Sequence, residues 1–160
     1  MDAGPGDSPF LSVVLTGRND EYGIDFRARF LRTLAFNHRE LATRRVPHEF
    51  LFVEWAPVPQ RPLLVDLVLD AVPALRDGAS FRGVVVDPRY QEALSLNPRL
   101  AYLEFLAKNV GIRRAAGQFV LASNCDVFLG RRVLEVLEQR AGAAAFALVH
   151  RGAARAFTGP

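Results

Sequence analysis

An amide and a carboxylate two residues apart, Asn124 and Asp126, follow the apolar run 118–123. If the chain stays extended through them, their side chains share one face, because side-chain direction alternates along a strand. A short polar pair where a parallel strand runs out is a common place for a ligand to bind. The placement recurs along the chain: Asn19 and Asp20 follow the first apolar run, and Glu54 closes the second. In a parallel sheet such strand tips lie along one edge, so residues distant in sequence can converge there on one polar ligand. Taken singly, each has a plainer use. Asn19 would shape a turn, Glu54 would be a solvated strand end, and Asp126 would order the start of a helix. Their shared placement is what favours a site.

Other chemistries are poorly supplied. The dinucleotide fingerprint G-x-G-x-x-G is missing after the first apolar run, where Thr16-Gly17-Arg18-Asn19-Asp20 stands instead. The phosphate loop G-x-x-x-x-G-K-[ST] is missing throughout. No G-x-S-x-G nucleophile elbow exists, which argues against an α/β-hydrolase. His38, His48 and His150 lack metal-ligand spacing and read as surface or helix-end residues. Cys125 is the only cysteine, so an intrachain disulfide is impossible and a Cys-based zinc site is disfavoured.

Positioning such residues takes a core, and 160 residues, half of them hydrophobic, suffice for one domain. A domain of this size buries roughly 68–70% of its unfolded surface. The formal charge is +3, and the basic side chains are arginines apart from Lys108. They are spread along the chain, so no nucleic-acid partner is expected. Residues 1–9 show no charged-then-apolar leader pattern and read as a flexible N-terminus. The most apolar runs, 63–72 and 143–149, are too short or too interrupted by Asp66 and Asp70 to span a bilayer. A cytoplasmic location is the expectation, with peripheral membrane association left open.

Strands are predicted at 10–16, 49–55, 81–86, 118–123 and 144–149. Helices are predicted at 25–43, from Pro62 to about Val72, at 100–115 and at 131–140. Between them, 87–99 carries Pro88 and Pro98 and reads as a long irregular connection, a candidate flap. Strands alternating with helices, most of the strands continuously apolar, imply an α/β three-layer sandwich with a mostly parallel sheet. The domain is placed at 10–150, with a loose tail at 151–160.

The pattern resembles the nucleotide-sugar-binding half of the Rossmann-like type A glycosyltransferase fold, specifically the family 2-like group. The carrying segment is Lys108-Asn109-x-Gly111, then Ala115-Ala116-Gly117, an apolar strand and Asn124-Cys125-Asp126. It looks like the family's R-N-x-G…A-x-G-x-(apolar)-D-x-D segment in order and spacing. Leu15-Thr16-Gly17-Arg18-Asn19 is similar to the family's first strand and its turn ending in Asn, although the family usually has Pro and Thr where Thr16 and Gly17 stand.

The resemblance implies a nucleoside-diphosphate sugar as ligand and a divalent metal, Mg²⁺ or Mn²⁺, on its diphosphate. Asp126 would hold the metal. Thr16, Asn19, Glu54, Asn109 and Asn124 would bind the nucleotide sugar, with Asn19 and Glu54 lining the nucleoside pocket and Asn124 near the ribose or metal. Arg113 and Arg114 would either meet the diphosphate or complement their helix's dipole. Glycosyl would pass to an unknown acceptor. The family's acceptor-binding segment and catalytic base come after the fifth strand, so the domain reads as truncated, and no base is named. A partner chain would supply what is missing. The rival expectation is a non-catalytic nucleotide-binding or interaction module that kept the fold.

Overall fold

The computed structural model describes residues 8–20, 23–76 and 80–142. Two runs apolar on both faces become the central strands. β1 (Leu11–Gly17) is buried along its whole length, and β2 (His48–Trp55) from its second residue on. Both faces of a parallel sheet are covered, so near-continuous apolar sequence is what such strands require. They pair in parallel with Val13 opposite Phe50 and Gly17 opposite Glu54. β3 (Phe81–Val86) pairs outside β2, and β4 (Phe119–Ala122) outside β1, giving the all-parallel order β3-β2-β1-β4.

One face of the sheet carries the larger core. α1 (Phe26–Thr43) turns Phe30, Thr33, Leu34, Asn37 and Leu41 inward, the spacing of one helical stripe. That stripe packs in one cluster with Leu11, Val13 and Leu15 of β1 and with Phe50 and Phe52 of β2. Phe30 stacks on Phe52 with ring centroids 4.6 Å apart. α2 (Leu64–Ala71), followed by a single 3-10 turn at Pro73–Leu75, adds Leu64 and Val68 to the same cluster. A smaller cluster on the opposite face joins Val53, Trp55 and Ala56 to Ala107 of a helix at Glu104–Ile112. Gly111 of that helix sits where an added Cβ would lie 2.5 Å from Val14 Cγ1, so only glycine lets helix and sheet approach this closely. The α/β class with an open, all-parallel sheet flanked by helices matches the expected architecture and is compatible with a Rossmann-like fold.

Three boundaries differ from the sequence reading. The supposed irregular connection contains α3 (Pro88–Leu94), started by Asp87, whose side chain accepts from Arg89 N at 2.9 Å, with Pro88 in the first turn. It buries no residue, so no apolar stripe announced it. The following helix, α4 (Glu104–Ile112), begins four residues later than expected and leaves 99–103 as loop. β4 ends at Ala122, and 125–126 form a turn before α5 (Arg131–Ala141), which buries Leu134 in the larger core. The expected strand at 144–149 and tail at 151–160 lie outside the described residues.

Candidate functional site

The strand order reverses between β1 and β4, and in open parallel sheets the crevice at such a switch point is where ligands bind. A cleft of about 710 Å³ opens there. Its floor is Thr16, Gly17 and Arg18 at the tip of β1 with Asn124, Cys125 and Asp126 after β4. Phe26 and Arg29 of α1 form one wall, and residues 99–106 leading into α4 form the other.

The turn after β4 is pinned from three directions. Cys125 is buried under the tip of β1, and its thiol donates to the Thr16 carbonyl at 3.2 Å; burial pushes its pKa well up. Asn124 Oδ1 accepts from Lys108 Nζ of α4 at 3.1 Å, and the same ammonium meets Glu104 at 2.6 Å. Asp126 Oδ2 lies 3.6 Å from Arg29 Nη1 of α1, both side chains close to two-fifths exposed. Asn124 and Asp126 therefore do not share one face of a strand. The strand has ended at Ala122, and the two side chains reach helices on opposite sides of the sheet.

Thr16 is buried and lines the cleft. Beside it the Tyr102 hydroxyl is enclosed and lies against the Thr16 side chain. Desolvation pushes the phenol's ionisation up, so it stays a neutral donor facing the cleft. Arg18 spans two tips, donating from Nε to the Ala56 carbonyl at 2.9 Å and from Nη1 to Asp20 at 3.2 Å. Arg99 lines the exposed side. The cleft thus joins three arginines to the carboxylates Asp20, Glu104 and Asp126.

Two expected ligand residues have structural occupations. Asn19 is buried; its Nδ2 donates to the carbonyls of Val58, Arg61 and Pro62, and its Oδ1 accepts from Val58 N at 2.6 Å. Glu54 is fully buried, accepting from Leu64 N at 2.9 Å and Val65 N at 3.1 Å. It caps α2, whose own N-cap residue, Leu63, offers no side-chain acceptor. Burial raises the Glu54 pKa, and the two N–H donors pull against that rise. Glu54 is therefore no solvated strand end, and it is not among the residues lining the main cleft. Asn109 is exposed on α4 and is not among the residues lining the cleft.

α4 runs back across the sheet, so Arg113 and Arg114 end at the opposite edge. There Arg82, the second residue of β3, donates to the Arg114 carbonyl, and Arg114 Nη1 donates to the Val110 carbonyl of its own helix. They do not join the cleft. Near the same edge Glu49 receives Ser12 Oγ, Ala116 N and Arg82, fixing the connection into β4. Gly117 belongs to this staple, since a Cβ there would lie 2.6 Å from Ser12 N. The glycines of the segment from Lys108 to Asp126 are thus explained by close packing. Arg29, Arg99, Tyr102 and Glu104 carried no recognisable sequence signal; they reach the cleft through their place on α1 and before α4.

Among the described residues no three His, Cys, Asp or Glu side chains come together as a metal-ligand set. Asp126 alone fits a hard divalent cation only as one ligand among several, the others being phosphate oxygens and water, which is how Mg²⁺ is commonly held. No family model and no curated protein matches this chain.

Proposed function

We propose that the cleft between the tips of β1 and β4 binds a nucleoside-diphosphate sugar, and that the chain is the nucleotide-binding part of a glycosyltransferase-like domain. The observation that carries this reading is the convergence of Thr16, Arg18, Arg29, Arg99, Asn124 and Asp126 around one crevice at the sheet's switch point. Arginines suit a diphosphate, because the guanidinium forms charge-assisted, often paired hydrogen bonds to its oxygens. Tyr102 brings a neutral phenol beside Thr16, suited to a hydroxyl or phosphoryl oxygen. The cleft's volume falls within the range of about 300–1,000 Å³ usual for small-ligand sites.

In this reading Asp126 holds the metal side of the diphosphate, and Arg29, now its ion-pair partner, turns to a phosphate oxygen. Mg²⁺ or Mn²⁺, when bound, would act as a Lewis acid on the leaving diphosphate. The bond between the anomeric carbon and the phosphate oxygen breaks and its electron pair leaves with the diphosphate. The acceptor's hydroxyl oxygen bonds the sugar carbon, and its proton passes to a base that a partner chain or another segment would supply. Arg18 and Arg99 stabilise the charge that grows on the leaving group.

A specific observation favours a second reading, a non-catalytic nucleotide-binding or interaction module. Among the described residues each carboxylate lining the cleft already faces a cation: Asp20 meets Arg18, Glu104 meets Lys108, and Asp126 meets Arg29. None of these three is left free as a general base, so turnover would need a group from a partner chain or another segment.

Titrating UDP and GDP into the protein with and without Mn²⁺ tests the proposal, using wild type and Asp126→Ala. Metal-dependent binding that weakens about tenfold or more in the variant is expected, given roughly 1.5–3 kcal/mol for a charged contact. Equal binding by both proteins removes Asp126 from its role. Binding without hydrolysis or transfer of the sugar selects the second reading.

A further inference from the structure

The outer wall of the cleft is weakly attached to the fold. Residues 96–101 are exposed, and the hydrogen bonds within this segment centre on Asn97. Asn97 accepts from Ser95 Oγ at 2.8 Å and from Leu100 N at 3.0 Å through its carbonyl, and from Arg99 N at 3.0 Å through its side chain. Such a turn holds its own shape but not its place. Downstream, Tyr102 and Leu103 pack against Val53, Trp55, Ala56 and Ala107. Upstream lies α3, which buries no residue.

Between these runs one side chain. Gln91 of α3 accepts from the Trp55 indole N–H at 2.8 Å and donates to the Leu100 carbonyl at 2.6 Å. Trp55 is the last residue of β2 and almost fully buried, so it is a fixed post. An indole can only donate and a backbone carbonyl can only accept, so the two ends of the amide are not interchangeable. Glutamine satisfies both partners; leucine satisfies neither, and glutamate satisfies only the indole.

We propose that Gln91 is a positioning residue for the cleft: anchored on Trp55, it sets the place of residues 99–101 and thereby the affinity for ligand. The inference rests on the reading of the cleft as a nucleotide site. Without this tie the wall is ordered only when ligand binds, and that ordering is charged against affinity. Arg99, carried on the turn, is the side chain whose position depends on it most directly.

The test uses wild type, Gln91→Leu and Gln91→Glu as full chains. Amide exchange over 96–101, emission of Trp55, which is the sole tryptophan, and UDP affinity in Mn²⁺ are measured. Both variants are expected to melt within a few degrees of wild type and to exchange faster at 96–101. UDP binding should weaken roughly two- to tenfold in both, the range one net hydrogen bond supports. Trp55 emission should shift in Gln91→Leu and stay near wild type in Gln91→Glu, a split that simple loosening of α3 would not produce. Unchanged exchange in Gln91→Glu overturns the proposal, as does faster exchange with unchanged affinity. Should Gln91→Leu fail to fold, Gln91→Glu alone decides. If wild type binds no nucleotide, the reading of the cleft fails, and Gln91 loses its role in affinity with it. The exchange and emission results would then show separately whether its tie to Leu100 exists.

Discussion

Replacing Glu54 by alanine removes both acceptors from the first turn of α2 and separates its two conceivable roles. Loss of a helix cap costs about 0.5–2 kcal/mol, and hydrogen bonds to a charged group contribute about 1.5–3 kcal/mol. The two bonds do not sum, because burial, which raises the pKa, takes back part of the gain. A loss of about 2–3 kcal/mol is therefore expected, and at about 2–4 °C per kcal/mol for a domain of this size the melting midpoint falls by roughly 4–12 °C. The pH dependence carries a sign. A native pKa raised above the ordinary 4.5 means the folded state binds more protons between the two values. The contribution is then fully present below 4.5 and declines as pH rises through the native pKa. Glu54→Gln lacks this titration, so the stability advantage of wild type over Glu54→Gln should be larger at pH 4 than at pH 7. Calorimetric melts of the three proteins across this range, with UDP titrations run well below each midpoint, read both effects. If Glu54→Ala melts within about 1 °C of wild type while nucleotide binding collapses, the capping argument is wrong and the carboxylate is a ligand contact.

Glu49→Gln should lower stability by about 2 kcal/mol in urea unfolding, because an amide nitrogen would then face the Arg82 guanidinium. The half-exposed Arg82 keeps the loss below that of a wholly buried pair. Gly111→Ala drives a methyl against Val14 and Val53; overpacking of about 1–3 kcal/mol exceeds a helix-propensity gain of about 1 kcal/mol, so the midpoint should fall despite the better helix former. In the pair His38 and His48, the His48 Nδ1–H donates to the Val46 carbonyl at 2.7 Å, which leaves Nε2 to accept from His38 Nδ1 at 3.0 Å. Burial lowers both pKa values below the ordinary 6.5, so stability should be full above 6.5 and decline as pH falls through the lowered values. The double variant His38→Gln with His48→Gln should flatten that decline in melts between pH 7 and 5.

How much of this was legible depended on where the burial lay. β1, β2 and α1 announced themselves because each buries most of one or both faces, and the sequence must then show it. α3 was invisible for the converse reason: with nothing buried it has no period, and its signal was the Asp87-Pro88 start. The cleft's floor was foreseeable from Thr16, Asn124 and Asp126, since parallel strands deliver their tips to one edge. Which partner each tip residue takes was not foreseeable. Asn19 and Glu54 have the chemistry of ligand contacts, and only the path of 56–64 shows that backbone groups claim them first. Arg29 and Tyr102 reach the cleft through helix and loop placement, which no spacing of residue types encodes.

The four hydrogen bonds of the Asn19 amide to Val58, Arg61 and Pro62 bear on how this protein can change over time. Surface connections are ordinarily where a domain accepts extra residues without harm. Here the bend from 58 to 62 is measured against a side chain in the turn after β1, between the cleft-lining Arg18 and Asp20, so an added residue would pull directly on the lip of the crevice. Descendants that keep the crevice should vary the lettering of that bend freely while holding its length constant.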